Sequence, residues 1–443
     1  MQLSLDEIYN IFISSTGISI DSRSIKNGQI FLAIKGENND GNAYVEDALN
    51  NGAKYCITNR NELSDDSRCI IVDDTYQTLV DLAKIHRDHF SIPVLAITGS
   101  NGKTTSKELI AKVLSTQYNV LYTKGNLNNE LGLPLTILKL NTTHEIAVVE
   151  MGAAKLGDIN FLCEIAKPTH GLITTIGRAH IGRFGSFENI IKAKTELFDF
   201  LKKHNGLAFI NEDDPILTPF AHSINTIFYG RNNPNTQVSN VSALPFLSFE
   251  WNYNDKNYRI ETHLFGDYNL VHTLAAISIG LYFNISSENI VKAITEYIPT
   301  NSRSQIIYND KNIIIMDAYN ANPTSMEAAL INFFSIPLDF FDNKNTTIKP
   351  KKRATILGEM MELGEYAHDE HKNILNLIKS YNPDIAIFVG ENFYQFKENF
   401  PQFQFVPNTK ELINFIVNNP LNEYLVLVKG SRANALEKIL PLL

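Results

Sequence analysis

The sequence has few cysteines and no long hydrophobic run, and both absences limit what the protein can be. The three cysteines, Cys56, Cys69 and Cys163, are odd in number and far apart. Their spacing fits neither a C-x-x-C motif nor a metal site, so we interpret them as reduced, buried thiols. No run of about 18 apolar residues occurs, and the first residues, MQLSLDEIYN, do not resemble a signal peptide. We therefore expect a cytoplasmic protein without membrane insertion.

The chain also lacks an excess of positive charge. It has 39 basic and 48 acidic residues, which gives a formal net charge of -9. Nucleic-acid binding requires a dense basic surface, so we expect no nucleic-acid partner. Hydrophobic residues at 44% and charged residues at 20% are typical of a globular protein. A length of 443 residues exceeds what one hydrophobic core usually supports and predicts two or three domains.

The order of apolar runs and turn signals predicts an α/β fold with three domains. Residues 1–91 contain short runs typical of a small α/β domain. Residues 92–300 begin with a buried strand, VLAIT, and continue with runs separated by helix-like segments, which favours a mainly parallel sheet. One helix, at 269–282, is apolar around most of its circumference and should be buried. Residues 301–443 alternate strand and helix, as in a Rossmann-like doubly wound domain, and the last predicted helix is ANALEKILPLL (433–443).

A phosphate-binding loop follows the VLAIT strand. Its glycines allow a tight turn, so that backbone amides converge on phosphate oxygens where the next helix begins. The lysine can contact the terminal phosphates of ATP, and the first threonine can ligate the accompanying magnesium ion. Ile97 stands where the strict pattern has glycine, but the strand before and the helix after supply the expected context. The predicted ATP-binding residues are Thr98, Gly99, Ser100, Asn101, Gly102, Lys103, Thr104 and Thr105.

A carboxylate ends the next predicted buried strand. Glu150 closes the run AVVE and stands directly before Met151 and Gly152. Hard oxygen ligands of this kind suit magnesium, so Glu150 is a candidate second ligand. The alternative is that it caps the turn that follows the strand.

Nine segments of the chain resemble the Mur ligases, a family of ATP-dependent amide ligases of bacterial cell-wall synthesis. The resemblance runs essentially from end to end, and TGSNGKTT is its most general motif. The other segments are DSRSIKNGQIFLAIKGENNDG (21–41), GNLNNELGLPLT (125–136), VVEMGA (148–153), AHIGRFGS (179–186), AKTELF (193–198), DAYNANPTSM (317–326), GEMMELG (358–364) and KGSR (429–432).

The resemblance implies a site with two magnesium ions and a modified lysine. Glu150 and His180 would help hold the ions, with Thr104 on the one nearer the phosphate loop. Lys194 matches a lysine that is carbamylated in most of these ligases, and a carbamate is an anionic oxygen ligand. Judged without the resemblance, His180 would be an ordinary turn or core histidine and Lys194 a lysine on a helix surface.

The resemblance also implies the nucleotide contacts. Asn269 matches an adenine contact, whereas the family's second asparagine in that helix is here His272. Arg303 matches an arginine that reaches the γ-phosphate, and Asp317 and Asn320 match residues that touch the ribose or nucleotide. A site divided between two domains implies that they close for catalysis.

The first domain resembles the uridine-nucleotide-binding domain of the family. The implied contacts in this domain are Ser22, Arg23, Asp40 and Gly41. In the next domain, the resemblance implies that Asn126, Asn128 and Asn129 line the muramoyl side of the cleft. Without a binding role, DSR would be a turn and GNLNNE a loop. Loops often carry binding residues, which favours the functional interpretation.

Three segments, DAYNANPTSM, GEMMELG and KGSR, indicate which reaction the resemblance implies. It is the ATP-dependent joining of D-alanyl-D-alanine to UDP-N-acetylmuramoyl-tripeptide through an acyl phosphate. The implied catalytic residues are Lys103, Lys194, His180 and Arg303. The third residue of the tripeptide, lysine or diaminopimelate, and the general base stay open. We expect a monomer.

Other activities share the phosphate loop. The ligase that adds the third amino acid to the same precursor also has the DSR domain, but its diaminopimelate form carries a D-N-P-R motif where this chain has NANPTSM. Folylpolyglutamate synthases would not explain the DSR domain. A P-loop ATPase, a kinase or an inactive nucleotide-binding regulator is the alternative from another class.

Overall fold

The structure is a computed structural model that describes residues 3–36, 39–299, 305–343 and 348–443. Its described part contains four β-sheets, and the predicted α/β class with three domains is confirmed. The boundary predicted at residues 91/92 stays a prediction, and the one at 300/301 lies outside the described residues. None of the helices in the described ranges combines the length and the apolar character that a membrane crossing needs.

The first domain is a four-stranded parallel sheet with helices packed on it. Its elements are α1 (Leu5–Ile13), β1 (Ile18–Ser19), β2 (Ile30–Leu32), α2 (Val45–Asn50), β3 (Tyr55–Thr58), β4 (Cys69–Ile71) and α3 (Thr75–Asp88). The strands follow one another in the order β1-β2-β3-β4. Cys56 and Cys69 are register partners on β3 and β4, and both side chains are fully buried. Burial raises the pKa of Cys56 to about 12, and the low exposure of both side chains confirms that these thiols are buried.

The central domain has a six-stranded sheet in which every pair is parallel, as predicted. Its elements are β5 (Val94–Thr98), α4 (Lys103–Leu114), β6 (Val120–Tyr122), α5 (Gly132–Ile137), β7 (Ile146–Glu150), α6 (Asp158–Ala166), β8 (His170–Ile173), α7 (Ile181–Phe184), α8 (Phe187–Lys203), β9 (Leu207–Asn211) and β10 (Asn225–Tyr229). The strand order is β10-β9-β8-β5-β7-β6, which places β5 inside the sheet. Apolar side chains pack on both faces of the sheet, so β5 is a continuous hydrophobic run.

A three-stranded antiparallel sheet extends the central domain and was not predicted. Its strands are β11 (Val238–Ala243), β12 (Phe246–Tyr253) and β13 (Lys256–Phe265), followed by α9 (Leu270–Tyr282) and α10 (Ser287–Thr295). Leu247, Phe249 and Trp251 alternate with less buried residues along β12. This alternation with a period of two is the sequence pattern that could have predicted β12. Helix α9 packs along α4, which confirms the buried helix predicted at 269–282.

The C-terminal domain is doubly wound, as predicted, around a mixed six-stranded sheet. Its elements are β14 (Gln305–Tyr308), β15 (Ile313–Asp317), α11 (Pro323–Ser335), β16 (Lys352–Gly358), α12 (Ala367–Tyr381), β17 (Ile385–Val389), α13 (Glu391–Tyr394), β18 (Gln404–Val406), α14 (Thr409–Asn418) and β19 (Tyr424–Lys429). The order is β14-β15-β19-β16-β17-β18, with only β14 antiparallel to its neighbour. The helix predicted after β19 is wrong. Instead, 3-10 turns form there, and Pro441, which lacks a backbone N–H, lies within the last one.

One buried hydroxyl in the central domain should be dispensable for stability. The Tyr229 hydroxyl is fully buried and has no hydrogen-bond partner among the described residues. We expect Tyr229→Phe to leave the free energy of unfolding unchanged or to raise it by about 1 kcal/mol, because the ring stays and an unsatisfied polar group is removed.

Denaturant unfolding of this variant tests that expectation against Tyr118→Phe. The Tyr118 hydroxyl donates to the Phe283 carbonyl at 3.0 Å, so its loss should cost about 1 kcal/mol. An equal loss of stability in both variants would contradict the assignment of Tyr229 as unsatisfied.

Candidate active site

A cleft of about 1210 Å³ lies where the three domains meet. The first domain contributes Tyr76 from α3, the central domain the phosphate loop, and the C-terminal domain Lys429. The predicted site residues on the cleft wall are Ser100, Asn101, Gly102, Lys103, Thr104, Thr105, Asn126, Asn128, Asn129, Glu150, His180, Asn269, Asp317 and Asn320. Folding therefore brings together most residues of the predicted ATP site from separate parts of the chain.

The phosphate loop runs from the end of β5 to the start of α4. Gly99 has φ +143° and Gly102 φ +77°, conformations that favour glycine. Lys103 begins α4, and its Nζ donates to the Gly99 carbonyl at 2.8 Å. Thr98 lies fully buried behind the loop, where its hydroxyl donates to the Met151 carbonyl at 2.8 Å. The amides at the start of α4 thus face the cleft, as an anion site requires.

A buried carboxylate stands beside the loop. Glu150, at the end of β7, is 1% exposed. Its Oε2 accepts from the Thr104 hydroxyl at 2.9 Å, and its Oε1 accepts from Asn128 Nδ2 at 2.7 Å. Both donors are neutral groups, so neither forms an ion pair with the carboxylate. A carboxylate and a hydroxyl in contact are the hard oxygen donors that magnesium prefers.

His180 lies on the cleft wall, but its ring already has a partner. It precedes α7 with φ +58°, and its Nδ1 forms a hydrogen bond with Glu362 of the C-terminal domain. Burial lowers the pKa of His180, although Glu362 opposes that effect. The structure places no cluster of three or more acidic, histidine or cysteine ligands anywhere in the described ranges.

Lys194 is buried on α8 and is only 2% exposed, so the interpretation as a surface lysine is wrong. Its Nζ lies 5.7 Å from the centroid of the Phe184 ring. Burial, with a smaller contribution from Lys103, lowers the pKa of Lys194 to about 7. A large fraction of this amine is therefore neutral near pH 7, which is the form that can react as a nucleophile.

Asn269 and His272 occupy the same end of α9. Asn269 Nδ2 donates to the Phe265 carbonyl at 2.7 Å, which fixes the orientation of the amide. The His272 ring fills the space beside Gly102, since a Cβ there would lie 1.9 Å from its Cε1. His272 Nδ1 also lies 3.0 Å from the Ser106 hydroxyl. Burial lowers the pKa of His272 to about 4, so the ring is neutral and supports the phosphate loop by packing.

Across the cleft, two C-terminal strands present an ion pair. Asp317 ends β15 and Lys429 ends β19, and the two residues are register partners. Lys429 Nζ donates to Asp317 Oδ2 at 2.5 Å and to the Asn320 carbonyl at 3.3 Å. Lys429 was missed as a site residue. Its position at the end of the strand EYLVLVK, matching that of Asp317, was the signal.

Asn322 connects the C-terminal domain directly to the phosphate loop. Its Nδ2 donates to Asn101 Oδ1 at 2.7 Å, and its own Oδ1 caps α11. Both asparagines line the cleft. Arg303, the predicted γ-phosphate contact, lies outside the described residues.

The predicted uridine-nucleotide contacts of the first domain lie away from this cleft. The turn with Ser22 and Arg23 and the turn that begins at Gly41 both pack against α2. Asp21 pairs with the exposed Arg23 at 2.9 Å. Asp40 accepts from the Asn42 amide at 2.9 Å and so caps the second turn. The two turns are thus neighbours on one helix rather than parts of the ATP cleft.

A phosphate loop that opens into a cleft between three α/β domains defines the class, an ATP-binding enzyme with a divided active site. Three family models cover most of the chain: "Mur ligase family, catalytic domain" at 14–90, "Mur ligase middle domain" at 97–280 and "Mur ligase, glutamate ligase domain" at 302–432. The chain belongs to the Mur ligase family.

Individual relatives support the same assignment. The UDP-N-acetylmuramoyl-tripeptide–D-alanyl-D-alanine ligase of Bacillus subtilis is 34% identical over 96% of this chain and 92% of its own length. The MurF crystal structure from Acinetobacter baumannii is 29% identical with a TM-score of 0.80, over 96% and 92% of the two chains. MurF from Thermotoga maritima, solved in complex with ADP, is 26% identical with a TM-score of 0.79, over 96% of both chains.

Replacing His272 tests whether its ring supports the phosphate loop. His272→Ala leaves a cavity beside Gly102 and removes the partner of Ser106. We expect ADP binding, measured by calorimetry, to weaken roughly fivefold, which corresponds to about 1 kcal/mol of lost loop support. His263→Ala, at an exposed position of β13, is the matched control. ADP affinity equal to that of the control would show that the ring only fills space.

Proposed function

We propose that the cleft joins D-alanyl-D-alanine to UDP-N-acetylmuramoyl-tripeptide while ATP is converted to ADP and phosphate. The observation that carries this proposal is the phosphate loop facing Asp317, Asn320 and Lys429 across one cleft that Tyr76 of the first domain also reaches. Such a cleft can hold a nucleotide and two further substrates between rigid domains. The Bacillus subtilis relative named above carries this activity in its name. The product is the pentapeptide precursor of peptidoglycan.

The chemistry requires activation of a carboxylate. A free carboxylate does not form an amide at neutral pH, because oxide is a poor leaving group. Attack of the terminal tripeptide carboxylate on the γ-phosphate gives an acyl phosphate and ADP. The amine of D-alanyl-D-alanine then attacks the acyl carbon, and the tetrahedral intermediate collapses to the amide with release of phosphate and a proton. Lys103 and the loop amides would stabilise charge on the transferred phosphoryl group. Arg303 belongs to this proposal through the family resemblance alone.

Two magnesium ions belong to the proposed site. The buried Glu150 carboxylate in contact with the Thr104 hydroxyl fits such an ion, and His180 and a carbamylated Lys194 would complete the ligands. When bound, the ions would neutralise charge on the phosphate oxygens. Thr104, Glu150 and Asn128 form a connected group whose orientation the chain itself fixes.

The environment of Lys194 supports its carbamylation. The reaction adds the neutral amine to carbon dioxide, forms an N–C bond and releases one proton. A pKa of about 7 supplies that neutral amine at physiological pH. The carbamate replaces a buried cation beside Lys103 with an anion, which removes the like-charge repulsion between the two lysines.

UDP-N-acetylmuramoyl-tripeptide would extend from the first domain into the cleft. Ser22, Arg23, Asp40 and Gly41 would bind the uridine nucleotide on the first domain. Asn126, Asn128 and Asn129 would contact the muramoyl part, since they line the cleft beside Glu150. The cytoplasmic location and the monomeric state stay predictions.

Phosphate release with each substrate combination tests the proposed reaction. We expect release from ATP only when UDP-N-acetylmuramoyl-tripeptide and D-alanyl-D-alanine are both present, with equimolar pentapeptide product. Offering the lysine and diaminopimelate tripeptides in parallel identifies the third residue. Turnover without the dipeptide would indicate an ATPase, and no turnover with any substrate would indicate a nucleotide-binding module.

Lys194→Ala tests the carbamate. The variant should be inactive and partly rescued by short-chain carboxylic acids, which supply the missing anionic oxygens. Labelling with ¹³C-bicarbonate should give a carbamate signal in the wild type and in Lys192→Ala, an exposed neighbour on the same helix, but not in Lys194→Ala. Full activity of Lys194→Ala, or a signal that persists in it, would disprove the modification.

A further inference from the structure

Two segments from different domains pack against each other beside the cleft. Residues 178–185 follow β8 in the central domain, and residues 360–366 follow β16 in the C-terminal domain. Ile181 and Phe184 are 4% and 5% exposed and belong to the same apolar cluster as Met360 and Leu363, both 1% exposed. The central domain thus inserts two side chains into the core of its neighbour. We call this region the 178–185/360–366 contact.

The two backbones touch within this contact. A Cβ on Gly182 would lie 2.4 Å from the Gly364 nitrogen, so only glycine fits there. The Gly182 amide donates to the Glu362 carbonyl at 3.1 Å. At the rim, Arg178 pairs with Glu370 at 2.9 Å. The domains are therefore held in one defined register rather than by a loose apolar surface.

Glu362 is the centre of the polar part of the contact. One carboxylate oxygen accepts from Arg183 Nη2 at 2.6 Å, and the other contacts His180 Nδ1. Both Glu362 (φ +62°) and His180 (φ +58°) adopt the left-handed conformation, which is uncommon for residues other than glycine. Strained residues that face each other at the edge of a cleft indicate a functional constraint.

We propose that Glu362 is a positioning residue that ties His180 to the closed arrangement of the central and C-terminal domains. Its carboxylate holds His180 Nδ1, so the rest of the ring is oriented at the cleft wall. Domain separation would remove Glu362 from His180 and Arg183 and would withdraw Asp317 and Lys429 from the phosphate loop at the same time. The ligation site is then complete only when the contact is formed. This inference rests on the proposed function for its catalytic readout.

Three single variants test the role of Glu362. Glu362→Gln removes the charge and keeps the volume, whereas Gly182→Ala disrupts the backbone contact without changing any charge. Glu365→Gln is the matched control, because Glu365 is exposed in the same segment and lies outside the proposed machinery. We expect kcat for ligation to fall about tenfold or more in both test variants, while the KM for ATP changes less than about threefold.

Binding and scattering measurements separate positioning from misfolding. In Glu362→Gln we expect ADP affinity and Tm close to those of the control. Gly182→Ala should also lower Tm, because its Cβ meets packed backbone. In both test variants we expect a larger radius of gyration with ADP bound, and the following criteria apply to Glu362→Gln. Ligation by Glu362→Gln equal to that of the control would overturn the proposal. So would a loss of activity accompanied by loss of ADP binding or a large fall in Tm.

A charge exchange separates the two partners of Glu362. Arg183→Glu combined with Glu362→Arg restores an ion pair but places a cation beside His180. We expect this double variant to remain impaired in ligation, because the ring has lost its carboxylate. Full recovery would overturn the role assigned to His180. If the wild type shows no ligation, the proposed function fails, but a change of radius in Glu362→Gln still demonstrates closure through this residue.

Discussion

The parallel direction of the strands is the constraint on which the site depends. Because β5, β7 and β8 run side by side in one direction, the segments that follow them leave the sheet at the same edge. The phosphate loop follows β5, Glu150 is the last residue of β7, and His180 lies in the segment after β8. In the C-terminal domain, β15 and β19 are also parallel, so Asp317 and Lys429 lie together at the carboxyl edge of that sheet. Two sheets that face each other with these edges form the cleft.

Three buried charged side chains lie at the cleft or beside residues that line it. Glu150, Lys194 and Lys429 are each 2% exposed or less, and charged groups are costly to bury without compensation. Hydrogen bonds to Thr104 and Asn128 orient the first, and Asp317 pairs with the last. The pKa of Lys194 is lowered instead, so that a large fraction of this amine carries no charge near pH 7. Such an arrangement costs stability and is consistent with a site that binds highly charged ligands.

Several features of the fold and site could be predicted because their causes are local. The VLAIT strand, the glycine-containing turn and the helix from Lys103 follow from hydrophobic runs and glycine positions alone. The antiparallel sheet around Trp251 was missed because its strands depend on pairing with one another. The final predicted helix was wrong, because 3-10 turns form there and Pro441 has no backbone N–H to donate. The pairing of Lys429 with Asp317 joins residues that are 112 positions apart, so their positions at strand ends mark both as candidates without showing that they pair.

The sequence by itself determined the α/β class, the phosphate loop and, through family resemblance, the residues expected at the site. Those properties depend on short patterns whose physical meaning is the same in any surroundings. Only the tertiary structure decided that Lys194 is buried with a lowered pKa, that His272 supports Gly102, and that Glu362 reaches His180 across a domain boundary. Burial and long-range contacts depend on how whole domains pack, so the local sequence around a residue does not show which distant residue it will contact.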